Sequence, residues 1–69
     1  MTDFTETRSM LKKLAMTHGA RTAIGRACHN LLEMTENYAK AKDRDHLLHI
    51  AANIAREKGR LEKLVSQAH

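Results

Sequence analysis

Proline is absent from all 69 residues of this chain, and two amphipathic stretches are separated by a single turn-like segment. Proline interrupts helices because it lacks a backbone N–H and its ring clashes with the preceding turn. The turn-like segment is Ala41-Lys42-Asp43-Arg44-Asp45. The pattern predicts an all-α antiparallel two-helix hairpin, with helix one over about 3–41, a turn over about 42–44 and helix two over about 45–67.

The composition agrees with an all-α fold, because strand-forming residues are scarce. The chain has one Phe, one Tyr and no Trp, whereas Ala, Leu, Lys, Glu and Met are frequent. At this length we expect a single domain.

The apolar residues of predicted helix one fall into two stripes that are out of phase. Phe4, Leu11 and Leu14 form the first, and the second recurs in steps of four and three residues from Ala20 to Ala41. The slip falls at Gly19. We favour one long helix with a bend there, because no proline or turn dipeptide enforces a break; a short first helix ending at Gly19 is the alternative.

The stripes are too wide to be covered by the seam of two helices, and a lone hairpin buries little apolar surface. Small residues on the facing stripes predict closely spaced helix axes: Ala20, Ala23, Ala27, Ala51, Ala52 and Ala55. The larger residues are then left for a second hairpin, which predicts a homodimer with four helices. The residues expected in the core and dimer seam are Leu11, Leu14, Ile24, Leu31, Leu47, Ile54 and Leu61.

The charge distribution suggests a binding surface. The chain has 12 Lys and Arg against 8 Asp and Glu, and no acidic residue lies between Glu6 and Glu33. Helical spacing places the cations of this stretch on one flank of helix one, which suits an acidic protein surface or nucleic acid; a solvated face is the alternative. Together with Tyr38, which could instead close the core edge, the predicted partner-binding residues are Arg8, Lys12, Lys13, Arg21, Arg26 and Tyr38.

Residues 14–29 partly match a DNA-binding helix–turn–helix motif. Ala15 and Gly19 are four apart, as in that motif, and Arg21 and Arg26 follow where a recognition helix would read bases. Ile24 arrives one position early, however, and Gly25 stands where a buried aliphatic residue belongs. A small DNA-binding regulator is therefore the second interpretation.

No pattern in the chain points to catalysis or to a cofactor. His46 and His49 are three apart, and Cys28 precedes His29, but structural zinc requires four ligands. Cys28 is expected to be a small buried hydrophobic residue. We therefore expect no enzymatic activity, no cofactor and no metal.

The location expected from the sequence is the cytoplasm. One cysteine cannot form an internal disulfide, which suits a reducing compartment. The first residues lack the basic and apolar regions of a signal peptide, and no stretch approaches the roughly 20 apolar residues of a membrane span.

In its size and its two stripes, Ala20 to Ala41 and Leu47 to Ala68, the whole chain resembles phage-encoded quorum-sensing anti-activators. These are small helical-hairpin inhibitors. The resemblance implies binding to a LuxR-type transcriptional activator in the host cytoplasm, so that the activator cannot hold DNA. It also implies a host pilus-assembly ATPase as a second target. A structural assembly or chaperone subunit is a third interpretation of such a chain.

Overall fold

The computed structural model describes residues 4–67 and contains three helices, α1 (Thr5–His18), α2 (Ala23–Lys40) and α3 (Arg44–Gln67). The predicted all-α class is confirmed, since residues 4–67 contain no strand. The prediction of one long first helix over 3–41 is wrong, because this region forms α1 and α2. The predicted second helix coincides with α3 to within one residue at its start.

Helix α2 is the central helix, and α1 and α3 pack on its two flanks. Helix α1 runs antiparallel to α2, so that Phe4 at its start meets Tyr38 near the end of α2. Helix α3 returns along α2 after the short connection at 41–43. Among residues 4–67, no Cα atom of α1 comes within 8 Å of a Cα atom of α3. The molecule is therefore organised around α2.

Helix α1 ends at Gly19, whose backbone adopts φ +88° and ψ 146°. This conformation is close to a region that only glycine occupies readily, because a Cβ atom would clash with the backbone. The Gly19 N–H donates to the Ala15 carbonyl at 2.9 Å, and the chain then leaves the helix. The phase slip at Gly19 is thus a helix end and not a bend.

Thr22 closes the turn and begins α2. Its hydroxyl donates to the Gly19 carbonyl at 2.8 Å and accepts from the Gly25 N–H at 3.0 Å. Its own N–H also donates to the Gly19 carbonyl, at 3.3 Å. Thr22 is thus an N-cap that satisfies a free amide of the first turn of α2 and holds the preceding turn against it.

Gly25 allows the turn at residues 19–22 to lie directly on the first turn of α2. A Cβ atom at this position would overlap the Gly19 carbonyl oxygen and lie 2.9 Å from the Gly19 carbonyl carbon and 3.0 Å from the Ala20 Cα. The atoms it would meet are backbone atoms, which cannot move aside alone. A side chain at residue 25 is therefore incompatible with the observed turn.

The core is formed by side chains from all three helices. Its buried apolar residues are Leu11, Ile24, Cys28, Leu31, Ile50, Ile54 and Leu61. Five of the residues predicted for the core and dimer seam are among them, while Leu14 and Leu47 are half-buried. The expectation that a second chain must cover these residues is wrong, because α1 folds back at Gly19 and the three helices cover them within one chain.

The alanine seam predicted from the sequence does not form. Ala27 and Ala51 are half-buried, but the other four alanines are exposed: Ala20, Ala23, Ala52 and Ala55. The sequence analysis also missed Thr35, which is 3% exposed and donates its hydroxyl to the Leu32 carbonyl at 2.7 Å. That hydrogen bond satisfies the hydroxyl and lets a polar residue occupy the core face of α2.

Cys28 is fully buried on the core face of α2, as the sequence predicted. Burial raises the pKa of its thiol, because desolvation disfavours the charged thiolate. The side chain therefore packs as a small apolar group.

We expect Gly25→Ala and Gly59→Ala to change stability in opposite directions. Gly25→Ala should lower the free energy of unfolding by about 2 kcal/mol or more, because the new methyl group overlaps the turn backbone. Gly59 lies inside α3, where an added Cβ meets no atom within 4 Å. Gly59→Ala should therefore raise the free energy of unfolding by about 0.5–1 kcal/mol through helix propensity. Urea denaturation followed by circular dichroism measures both free energies of unfolding. Equal changes in the two variants would contradict the close packing of the turn against Gly25.

Candidate partner-binding surface

The six predicted partner-binding residues lie on two helices and a turn. Helix α1 carries Arg8, Lys12 and Lys13, the turn carries Arg21, and α2 carries Arg26 and Tyr38. The prediction that the cations share one flank of one helix is wrong. That prediction assumed a continuous helix, and the reversal at Gly19 places α1 antiparallel to α2.

Arg8 takes part in a contact between α1 and α2. Its Nη2 lies 3.6 Å from Oε1 of Glu36, and the two side chains are 34% and 53% exposed. Glu36 lies outside the stretch between Glu6 and Glu33 that contains no acidic residue, but the fold brings it next to Arg8. The surface around Arg8 is therefore not free of carboxylates. An ion pair with this exposure is screened by water and contributes little stability.

Tyr38 packs at the edge of the core. Its ring meets that of Phe4 edge-on, with the centroids 5.1 Å apart and the planes at 85°. Both rings pack against the buried cluster, and both residues are half-buried. This geometry favours a role for Tyr38 in joining the start of α1 to the end of α2.

Four of the predicted cations are exposed: Lys12, Lys13, Arg21 and Arg26. Within residues 4–67, the ion pairs closer than 4.0 Å are Arg8–Glu36 and Arg60–Glu57, so none of these four has a described carboxylate partner at that distance. We call them the unpaired cations. Lys12 and Lys13 lie beside different shallow depressions of α1, Arg21 lies in the turn and Arg26 lies on α2, so the set does not form one stripe.

Arg26 lies beside a groove between α1 and α2 that the sequence analysis did not identify. The groove has a volume of about 450 Å³. We call it the α1–α2 groove, and its lining residues are Ala15, Ala20, Gly25, Arg26, His29, Asn30 and Leu32. The signal in the sequence was the set of small residues on both sides of Gly19, but it could be interpreted only once the helix break was known.

The packing of α1 and α2 differs from that of a DNA-binding helix–turn–helix. In that motif the two helices cross at about 90–120°, which leaves the second helix free to enter the major groove. Here Phe4 and Tyr38 are in contact at the end opposite the turn, so the helices run side by side along their length. Arg21, predicted to read bases from the second helix, lies in the turn instead.

The other chemistry considered from the sequence has no assembled site in residues 4–67. No three His, Cys, Asp or Glu side chains of this part of the chain come together as metal ligands. None of α1, α2 or α3 is long and apolar enough to cross a membrane. Comparison of the chain with protein-family models, curated proteins and solved structures gave no match.

We expect Tyr38→Ala to destabilise the fold. The substitution should lower the free energy of unfolding by about 2 kcal/mol, because it removes the contact with Phe4 and part of the core edge. Tyr38→Phe keeps the ring and is the matched control, with an expected change below about 0.5 kcal/mol. If the alanine variant is as stable in urea as the wild type, Tyr38 has no role in the core, and the prediction that it binds a partner would be favoured instead.

Proposed function

We propose that this chain is a non-enzymatic, protein-binding inhibitor that blocks a host transcriptional activator from binding DNA. The observation that supports this proposal is that the unpaired cations, on α1, the turn and the start of α2, all lie in residues 7–32, which contain no Asp or Glu. Exposed cations favour the approach of an acidic surface and increase the rate of association.

The charge of the chain restricts how such an inhibitor works. The formal net charge is +4, so the chain repels the basic surface with which an activator contacts DNA. It therefore docks on an acidic surface outside that DNA-binding face. Inhibition then follows from steric exclusion of DNA or from a change in the activator's assembly.

The LuxR-type target comes from the resemblance to phage quorum-sensing anti-activators. The two-helix hairpin that carried part of this resemblance is replaced by three helices, and chain length, helical content and positive charge remain in its support. The pilus-assembly ATPase stays a proposed second partner on the same ground. A DNA-binding regulator is the alternative, although the side-by-side packing of α1 and α2 does not favour it.

We expect reversal of two unpaired cations to weaken inhibition. In a fluorescence anisotropy assay with a LuxR-type activator and its labelled operator DNA, the wild-type chain should displace the DNA. Lys12→Glu with Lys13→Glu should raise the half-inhibitory concentration by about tenfold at moderate salt, because two favourable charges become unfavourable.

The matched control for this experiment changes the same net charge elsewhere. Arg56 and Lys63 are exposed on α3, and reversal of both to Glu should have less than about a twofold effect. If both double reversals weaken inhibition equally, the net charge of the chain, and not the position of the cations, determines inhibition. Direct, sequence-specific binding of the chain to DNA, abolished by Arg21→Ala, would support the DNA-binding alternative instead.

We propose that two copies of the chain associate through α3. Leu48 is 61% exposed, and the exposed Ala52 and Ala55 follow it at helical spacing of four and three residues. Because the core is closed within one chain, this association is not needed for folding. Each subunit would then be a three-helix chain, and the pair would contain six helices in place of the four predicted.

We expect Leu48→Glu to produce a folded monomer. Sedimentation equilibrium at about 100 μM should show the wild type as a dimer, since burial of Leu48 stabilises the pair, and the variant at half that mass. Met16→Glu is the control, because Met16 is 86% exposed on α1, away from α3. A wild type that remains monomeric at this concentration would contradict the proposed dimer.

A further inference from the structure

We propose that the α1–α2 groove binds a segment of a partner protein in which a large apolar side chain lies next to a carboxylate. This inference rests on the proposed function, because it specifies the chemistry by which the protein partner is recognised. It concerns a site that includes only one of the six partner-binding residues predicted from the sequence, Arg26.

The floor of the groove is apolar. Ala15 and Leu32 are half-buried, and Gly25 is buried. Gly25 contributes only backbone atoms to this floor, and the Gly19 carbonyl fills the space that a side chain at residue 25 would occupy. The groove volume, about 450 Å³, falls within the range of sites that hold small ligands or a few side chains.

The rim of the groove is polar, and its formal charge is positive. Arg26, His29 and Asn30 line it, all three exposed on α2, and no Asp or Glu is among the lining residues. Arg26 presents a planar group that can donate two parallel hydrogen bonds to a carboxylate. His29 and Asn30 add side-chain donors one turn along the helix. An anionic group at the rim is thus complemented, whereas a cationic one is repelled.

The combination of an apolar floor and a cationic rim favours a protein segment over nucleic acid. A phosphate backbone would meet the rim but would leave the apolar floor without a partner. A protein segment with an apolar side chain and a neighbouring carboxylate can contact both the floor and the rim. The apolar side chain is buried against the floor while the carboxylate binds Arg26. The larger cavity between α2 and α3 carries the carboxylate of Asp43 beside Lys40 and Lys42, whereas no Asp or Glu is among the residues that line the α1–α2 groove.

The test is a nuclear magnetic resonance titration of the ¹⁵N-labelled full chain with the peptide acetyl-Glu-Leu-Leu-Glu-amide. The amide signals of Gly25, Arg26 and His29 are expected to shift and to saturate, with a dissociation constant of about 1 mM or lower. Replacing both Glu by Gln, or both Leu by Ala, should weaken binding by about fivefold in each case. The first change removes the charge that binds the rim, and the second removes the apolar side chains that bind the floor.

Two variants and a control locate the binding. Arg26→Gln should weaken binding of the unmodified peptide by about fivefold, whereas Arg56→Gln, exposed on α3 and outside the groove, should change it by less than about twofold. Ala20→Leu places a bulky side chain at an exposed position of the groove and should also weaken binding. Circular dichroism checks that each variant folds.

The outcomes separate this inference from the proposed function. Absence of saturable shifts at the groove, or equal binding of all three peptides, would overturn the inference. The same holds if an activator is inhibited equally by the wild type, Arg26→Gln and Ala20→Leu, and the proposed function would then stand without the groove. Peptide binding at the groove without any effect on a LuxR-type activator would support the inference and overturn the proposed target. Displacement of the peptide by a DNA duplex at physiological salt would favour nucleic acid as the occupant.

Discussion

The close approach of the first turn of α2 to the backbone of Gly19 is the contact on which the rest of the fold depends. It requires a glycine at residue 25, and the Thr22 hydroxyl holds the two segments together through hydrogen bonds of 2.8 and 3.0 Å. Within four residues the chain reverses and α1 returns along α2. Without this contact, α1 and α2 would continue as one helix, and the apolar residues of α1 would project beyond the end of α3.

The reversal changes how the core is completed. A continuous first helix would give a two-helix hairpin whose larger apolar residues need a second chain to cover them. The three helices instead enclose one buried apolar cluster within a single chain. Leu11 illustrates the difference, because it is 0% exposed although its own helix is the shortest of the three. Burial of the core therefore does not require a second chain, and Leu48 is left exposed on α3.

Local periodicity predicted those parts of the structure that depend on local interactions. The stripe from Ile24 to Tyr38 and the limits of α3 follow from apolar spacing and from the turn before Arg44. The break at Gly19 depends on a tertiary contact with Gly25, six residues away, and on a positive φ angle that a sequence does not display. The phase slip between the two stripes does not distinguish a bend from a helix end, but Gly19 followed by Thr22 matches the sequence signals of a helix end and a new helix start.

The same limitation applies to the candidate site. Predicted neighbours such as Arg8 and Arg26 were related by helical steps across Gly19, and those steps have no meaning once the chain reverses. Arg8 instead meets Glu36, and Arg26 instead borders a groove whose floor comes partly from α1. The partner proposed for this surface would therefore meet separate cations and an apolar groove in place of a continuous positive flank. A continuous flank could attract any polyanion, but a groove that combines apolar floor and cationic rim discriminates among anions by the side chain beside the charge. The helix reversal thus converts a pattern suited to nonspecific attraction into one that could support specific recognition.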